Sequence, residues 1–412
     1  MSIFFENALQ KSIRLIKIPS VTTAGTRDGA PLGENVRKCL DIALDAAKEL
    51  GFKTVDLDGY CGYAEIGEGE PFGVLGHLDV VPPGENWTKE QGVIEDGVLY
   101  GRGAVDDKTP IMLCLFATAE LMSRGMTPKR NIRIVFGCDE ESGKWSCMQK
   151  YNECCGVLSD GFSPDADFPV IYAEKGILDA RIEFSANSDK AFEIIGGARI
   201  NMVPDSCRLK IDGIEQKFDG RSAHGSQPQK GDNAVLKALK ALSGYSENVR
   251  IVAEKLSDCT GKKAGINFFD ADSGALTLNP GLISSDGDRI AISVDIRYPV
   301  SFSFETVMSA LSAALPFAEC SVINVQPPLK VDKNGASVLK LLDAYNSVTG
   351  ENAEPISIGG GTYARAMNGG VAFGPEFPGE DNRIHQADEC VTIASLKKAY
   401  DIYLKALEKT CF

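Results

Sequence analysis

The chain is poor in residues that would mark several common classes of protein. Histidine occurs only three times and tryptophan twice among 412 residues. Basic residues are in deficit, 43 against 57 acidic, which leaves a formal net charge of −14. Nucleic acid and anionic membrane surfaces demand basic surface and are disfavoured as partners. No apolar run reaches membrane-spanning length, and the first residues show no basic segment followed by an apolar one, so neither a membrane anchor nor a secretory leader is expected. The twelve cysteines include no C-x-x-C pair, Cys154 and Cys155 are adjacent, and the length does not fit a disulfide-stapled secreted domain. Reduced, mostly structural thiols and a cytoplasmic location are expected. A cysteine hydrolase would need a local nucleophile signature, and none is present.

With 43% apolar and 24% charged residues the chain reads as globular, and its length predicts two or more domains. Its chemistry is concentrated between Phe72 and Gly143. An apolar run closes on Gly76-His77-Leu78-Asp79. Asp106-Asp107 precede a helix-start signal at Thr109-Pro110, with an apolar run to Met122 and Gly125 beyond it. The alternating run Asn131 to Phe136 leads into Asp139-Glu140-Glu141. Residues 72–137 therefore read as a βαβ unit with parallel strands. In such sheets ligands gather beyond the carboxyl ends of strands, where His77 and Glu140-Glu141 fall. His77 and Asp79, two residues apart, share one face of an extended strand, so the ring can bind a metal while the carboxylate orients it. Glu140 and Glu141 point to opposite sides, which allows one to bind metal while the other faces water.

Along the rest of the chain, helices are predicted over Phe4 to Ile16, Glu34 to Leu50, Asn233 to Leu242, Phe304 to Ala314 and Ala336 to Val348, with an amphipathic helix at the end. Gly67-Glu68-Gly69 has the start of a dinucleotide loop, but its third glycine is misplaced and no helix follows. Ser163-Pro164-Asp165 lies in a rigid acidic turn before a strand. From about Leu178 the character shifts to strands with few long helices. The fold expected is α/β, a mostly parallel-sheet catalytic domain over 1–182 and 327–412, with an inserted α+β domain at 183–326.

The motifs in order resemble the M20 metallopeptidases, most closely their PepV-type dipeptidase branch. The match is carried by Gly76-His77-Leu78-Asp79, Gly101-Arg102-Gly103 to Asp106-Asp107-Lys108, Asp139-Glu140-Glu141-Ser142-Gly143 and Ser163-Pro164-Asp165. It continues through Asn201-Met202-Val203-Pro204, Ser222-Ala223-His224-Gly225, Asp295-Ile296-Arg297, Gly359-Gly360-Gly361-Thr362-Tyr363 and His385-Gln386. The resemblance implies two zinc ions, with manganese or cobalt as possible substitutes, held by His77, Asp106, Glu141, Asp165 and His385. Asp106 would bridge the metals, His77 and Asp165 completing one site and Glu141 and His385 the other. Asp79 would orient His77, and Glu140 would be the general base for a hydroxide shared by the two metals. His224 would stabilise the oxyanion, Arg297 and Asn201 would hold the substrate's carboxylate and backbone, and Gly360 and Thr362 would approach it closely. The implied reaction is hydrolysis of dipeptides or short peptides with a free C-terminal carboxylate. An N-acyl amino acid deacylase is the alternative, and a non-catalytic binding protein on the same fold a second. The inserted segment looks shorter than the large lid of PepV-type enzymes. A monomer is favoured over a homodimer, and whether His224 serves its own or a neighbouring subunit's site is left open.

Overall fold

A computed structural model describes residues 2–25 and 27–412. Two compact units result: Met1–Tyr172, Val331–Ile356 and Thr362–Phe412 form the first, and Ala173–Lys330 with Ser357–Gly361 the second.

The first unit is α/β. Its sheet runs in the order Lys53–Leu57, Cys61–Ile66, Asn131–Gly137, Pro71–His77, Gly161–Ser163, Gly370–Ala372, Ile171–Glu174. The four central strands are parallel, and the flanking pairings are antiparallel. The expected βαβ unit is present, its strands in register from Pro71 opposite Asn131 to His77 opposite Gly137. Its helix, Lys108–Ser123, is buried along nearly its whole length, as a helix apolar on every side must be. It packs against the helices Ile3–Ile16 and Ile393–Cys411. The helix begins just before the Thr109-Pro110 signal, and Asp107 at its cap position makes no side-chain cap. That carboxylate instead accepts from the His77 amide at 3.0 Å. Lys108, also buried, donates to the carbonyls of Leu15 and Ile18 at 3.0 and 2.8 Å. A cation at the end of the Ile3–Ile16 helix complements its dipole.

The turn that carries Asp165 is seated on aromatic rings. Phe168 lies 5.1 Å from Phe373, 4.9 Å from Phe377 and 5.3 Å from Tyr345, centroid to centroid. Backbone bonds zip the same segment to its neighbour: Phe373 donates to the Ser163 carbonyl and Ala166 to that of Gly374, both at 2.8 Å.

The second unit is α+β. Its seven-stranded antiparallel sheet has the order Ile214–Asp219, Ser206–Ile211, Phe192–Gly196, Thr277–Asp286, Arg289–Tyr298, Gly176–Ser185, Glu319–Gln326. The helices Ala234–Leu242, Glu247–Leu256 and Phe304–Ala314 share its core with alternate residues such as Leu178, Ala180, Ile182, Val294 and Ile296. The boundary expected at 182/183 would cut the Gly176–Ser185 strand, which pairs with Arg289–Tyr298 from end to end. The second unit takes that strand whole: the changeover falls earlier, after Tyr172 and within the Ile171–Glu174 strand, and the return comes after Lys330, with Ser357–Gly361 added to this unit. Among the described residues no helix is long and apolar enough to cross a membrane.

Candidate metal centre

The parallel strands Pro71–His77 and Asn131–Gly137 end side by side, so the loops beyond them meet. Two glycines permit this. A Cβ on Gly76 would stand 2.2 Å from an Asp107 oxygen, and one on Gly137 would stand 2.1 Å from the Tyr363 hydroxyl. The Asp79 carboxylate accepts from the backbone amides of Glu140 at 3.1 Å and Glu141 at 3.0 Å. Sequence reasoning gave that carboxylate the task of orienting His77. It lies 3.5 Å from His77 Nδ1, whereas the Asp79 main-chain carbonyl lies at 3.0 Å. A carbonyl only accepts, so Nδ1 carries the hydrogen and Nε2 faces the acids. Ring orientation thus comes mainly from the backbone, and the Asp79 side chain pins the Glu140-Glu141 loop.

Asp106 is the hub. Its Oδ1 lies 2.9 Å from His77 Nε2 and its Oδ2 lies 2.9 Å from His385 Nε2. His385 Nε2 is also 3.1 Å from Glu141 Oε1, and His77 Nε2 is 3.8 Å from Asp165 Oδ2. Ligand atoms of His77, Asp106 and Glu141 lie within 4.8 Å of one another, as do those of His77, Glu140 and Asp165. Four carboxylates and two imidazoles, drawn from five loops, are thereby brought together.

Electrostatics in the cluster favours cations. Burial alone would raise the Asp106 pKa, yet the bonds to His385 and His77 hold it well below the usual carboxylate range. Burial, then the Asp106 charge, pushes Asp165 up to about 7 against the pull of His77. Glu140 is raised well above its ordinary value, chiefly by burial and then by neighbouring acids, with His77 opposing. Burial opposes a charge on His385, but its bonds to Asp106 and Glu141 carry its pKa up to about 11. A field that holds protons so firmly between carboxylates also favours divalent ions, and a donor set of imidazole and carboxylate suits zinc.

The other predicted residues are placed as follows. Thr362 belongs to the first unit, and its hydroxyl accepts from the Ala364 amide at 3.2 Å, capping the short turn that carries Tyr363. His224, Asn201, Arg297 and Gly360 belong to the second unit. There, the Ser226 amide donates to His224 Nδ1 at 3.2 Å, which leaves the hydrogen of a neutral ring on Nε2. The Asn201 carbonyl accepts from the Gly225 amide at 2.7 Å. Asn279, buried, donates to the Ile200 and Met202 carbonyls at 3.2 and 2.9 Å and so fixes the turn bearing Asn201. The Arg297 fork is engaged by Asp295, Nε to Oδ1 at 2.7 Å and Nη2 to Oδ2 at 2.6 Å. Its Nη1 donates to the Gly359 carbonyl at 3.3 Å.

Three supporting residues were not anticipated. Tyr363, fully buried, sits edge-on to His77 at 6.1 Å and to Trp145 at 5.3 Å. The Trp145 indole donates to the Glu140 carbonyl at 3.2 Å. Glu389, buried beside the Asp106 loop, pairs with Arg102 at 2.6 Å. Glu389 stands four residues after His385, and Arg102 lies inside a motif already singled out, but nothing local in the sequence connects them.

A carboxylate shared by two imidazoles, at the carboxyl ends of parallel strands in an α/β sheet, is an arrangement suited to a metal-dependent hydrolase. Comparison with known proteins narrows it. The chain belongs to peptidase family M20/M25/M40, whose family model matches residues 73–409. It is 34% identical to "Putative dipeptidase YtjP" of Bacillus subtilis (strain 168) over 97% of this chain and 95% of that protein. Its fold is similar to that of human carnosine dipeptidase 1, with a TM-score of 0.63, 15% identity and coverage of 98% and 96% of the two chains. It is similar also to the Bacillus subtilis YXEP protein, described as a dinuclear metal-binding peptidase, with a TM-score of 0.55, 12% identity and 99% coverage of both chains.

Proposed function

We propose that this chain hydrolyses the peptide bond of dipeptides and short peptides that carry a free C-terminal carboxylate, using two zinc ions. The observation that carries the reading is Asp106, whose two oxygens each lie 2.9 Å from the Nε2 of a different histidine. Such a carboxylate can serve two cations, one with His77 and Asp165, the other with His385 and Glu141. When bound, two such cations polarise a carbonyl and make water a nucleophile at neutral pH.

The remaining steps fall to the protein. Glu140, held by Asp79 through its amide and by Trp145 through its carbonyl, takes a proton from the attacking water and delivers it to the leaving amine. His224, with its hydrogen on Nε2, donates to the developing oxyanion. With Nε and one Nη2 hydrogen engaged by Asp295 and one Nη1 hydrogen by the Gly359 carbonyl, Arg297 retains one hydrogen on each Nη for the substrate's carboxylate. Asn201 and Gly360, on the same unit, offer polar backbone and side-chain groups to the peptide. Thr362, spent on its turn, acts by shaping the loop.

The 34% identity to a protein named as a dipeptidase, over nearly the whole chain, supports the substrate class. All twelve cysteines are unpaired, which supports a reducing compartment and with it a cytoplasmic location. We hold the protein to be a monomer in solution. The test is hydrolysis of a panel of free dipeptides and N-acyl amino acids by the purified protein, with chelator and with added zinc. Chelator-sensitive cleavage of dipeptides is expected. Cleavage of acyl amino acids alone would assign a deacylase instead, and no turnover by the zinc-loaded protein would leave a binding protein.

A further inference from the structure

The loops bearing Asp106 and His385 are remote in the chain, yet one buried acid joins them. Glu389 is fully buried. Its Oε1 accepts from the backbone amides of Gly103 at 3.0 Å and Val105 at 3.1 Å, and its Oε2 meets Arg102 Nη1 at 2.6 Å. Arg102, 4% exposed, extends Nη2 to the Gln386 carbonyl at 3.2 Å. The main chain repeats the connection, since the Gly101 amide donates to the Glu389 carbonyl at 2.9 Å and Cys390 pairs with Tyr100. Asp106 thus follows at once on a turn whose amides Glu389 holds. His385 immediately precedes the carbonyl that Arg102 holds.

Stability explains this pair poorly. Taking two charges out of water costs several kcal/mol per ion, on the order of what their attraction returns, and a buried pair is weak evidence for stabilisation. Arg102 Nε is in addition buried without a partner. What the pair does accomplish is geometric. Asp106 can serve both imidazoles only if the two loops keep their spacing to within a fraction of an ångström, and orienting partners of this kind are worth about 10–100-fold in metal affinity. We propose that the Glu389–Arg102 pair is a positioning device of the metal centre, locking the Asp106 loop to the His385 loop so that one carboxylate serves two cations. This rests on the assignment of Asp106 and His385 as metal ligands.

The test is titration of the metal-free protein with Co2+, followed by its visible absorption, which reads coordination independently of turnover. Glu389→Gln keeps the shape but turns an amide N–H toward Arg102. Co2+ affinity at the weaker site is expected to fall about 10–100-fold with a changed spectrum, and kcat to fall while KM for a dipeptide stays within about three-fold. Arg102→Lys, which keeps a cation but cannot span both partners, is expected to act in the same direction. The neighbouring acid Asp388 accepts from the amides of Thr88 and Lys89 at 2.7 and 3.0 Å and so serves a different loop. Asp388→Asn is expected to leave Co2+ affinity within about two-fold of wild type.

An unchanged affinity and spectrum in Glu389→Gln would overturn the inference while leaving the ligand assignment standing. So would an equal loss in Asp388→Asn, which would show general loosening of the segment. If Glu389→Gln does not fold, as judged by thermal unfolding, Arg102→Lys decides by the same criterion. Failure of the wild-type protein to bind Co2+ would overturn the ligand assignment itself, and this inference with it.

Discussion

Adjacent acids at the metal centre receive different tasks from their surroundings. Glu141 Oε1 lies 3.1 Å from His385 Nε2, whereas Glu140 groups with His77 and Asp165 and is pinned through both its amide and its carbonyl. Glu140→Gln keeps those backbone bonds and removes only the titrating group. Turnover is expected to fall about 10²–10⁴-fold, with zinc content by elemental analysis unchanged; turnover within a few-fold of wild type would remove Glu140 from the proton transfer. Arg297 separates binding from chemistry. Replacing it by Ala removes one charged hydrogen-bonding edge, worth about 1.5–3 kcal/mol or roughly 10–100-fold in affinity. KM for free-acid dipeptides should rise accordingly, and KM for C-terminally amidated ones should not. Equal losses on both would show that Arg297 acts only through Asp295.

At the scale of elements, packing and legibility go together. The Phe168 ring sits among Phe373, Phe377, Tyr345 and Tyr403 under the turn that presents Asp165. Phe168→Ala should cost about 3–5 kcal/mol in urea unfolding, whereas Ile214→Thr, on an edge strand where Ile214 is 77% exposed, should stay within about 0.5 kcal/mol. A loss below 1 kcal/mol at Phe168 would mean that the turn is held by its backbone bonds alone. Pro71–His77 and Lys108–Ser123 were readable from the sequence because elements buried on every side must be apolar in continuous runs. Ile214–Asp219 and Glu319–Gln326 were not, since strands exposed along most of their length carry no alternation to read. The helix Ser146–Cys155 escaped notice too: Trp145 stands at its cap in left-handed conformation, with no side-chain cap to announce it. His77 and Glu140-Glu141 stood out because they follow strand ends, whereas Asp106, Asp165 and His385 were named as ligands only through the family resemblance. Glu389 and Arg102 were not, because 287 positions separate them and only the fold brings them together.

At the scale of the whole molecule, the buried acids make stability depend on pH and on metal. Burial is the first cause that raises Asp165 to about 7, Glu389 to about 7 and Glu376 to about 8. Each folded pKa lies above its unfolded value, so the folded chain binds these protons more tightly. Their contribution to stability is complete below about pH 4, the unfolded carboxylate range, and is lost as the pH rises through the folded values. His385, raised to about 11, has the same sign, and its contribution begins to fade above the unfolded histidine value of about 6.5. Asp106, held low, has the opposite sign, but its contribution is already complete above about pH 4 and does not vary beyond it. The metal-free protein should therefore lose stability between pH 5 and 8, with Tm falling by at least about 4 °C. Zinc binds deprotonated ligands and only the folded cluster gathers them, so added zinc should raise Tm more at pH 8 than at pH 5.5. Calorimetry across this range, first in chelator and then with zinc, checks both statements. A Tm that is flat or rising with pH in chelator would mean that water reaches these acids and screens them, and a zinc effect equal at both pH values would place the metal on groups other than this cluster.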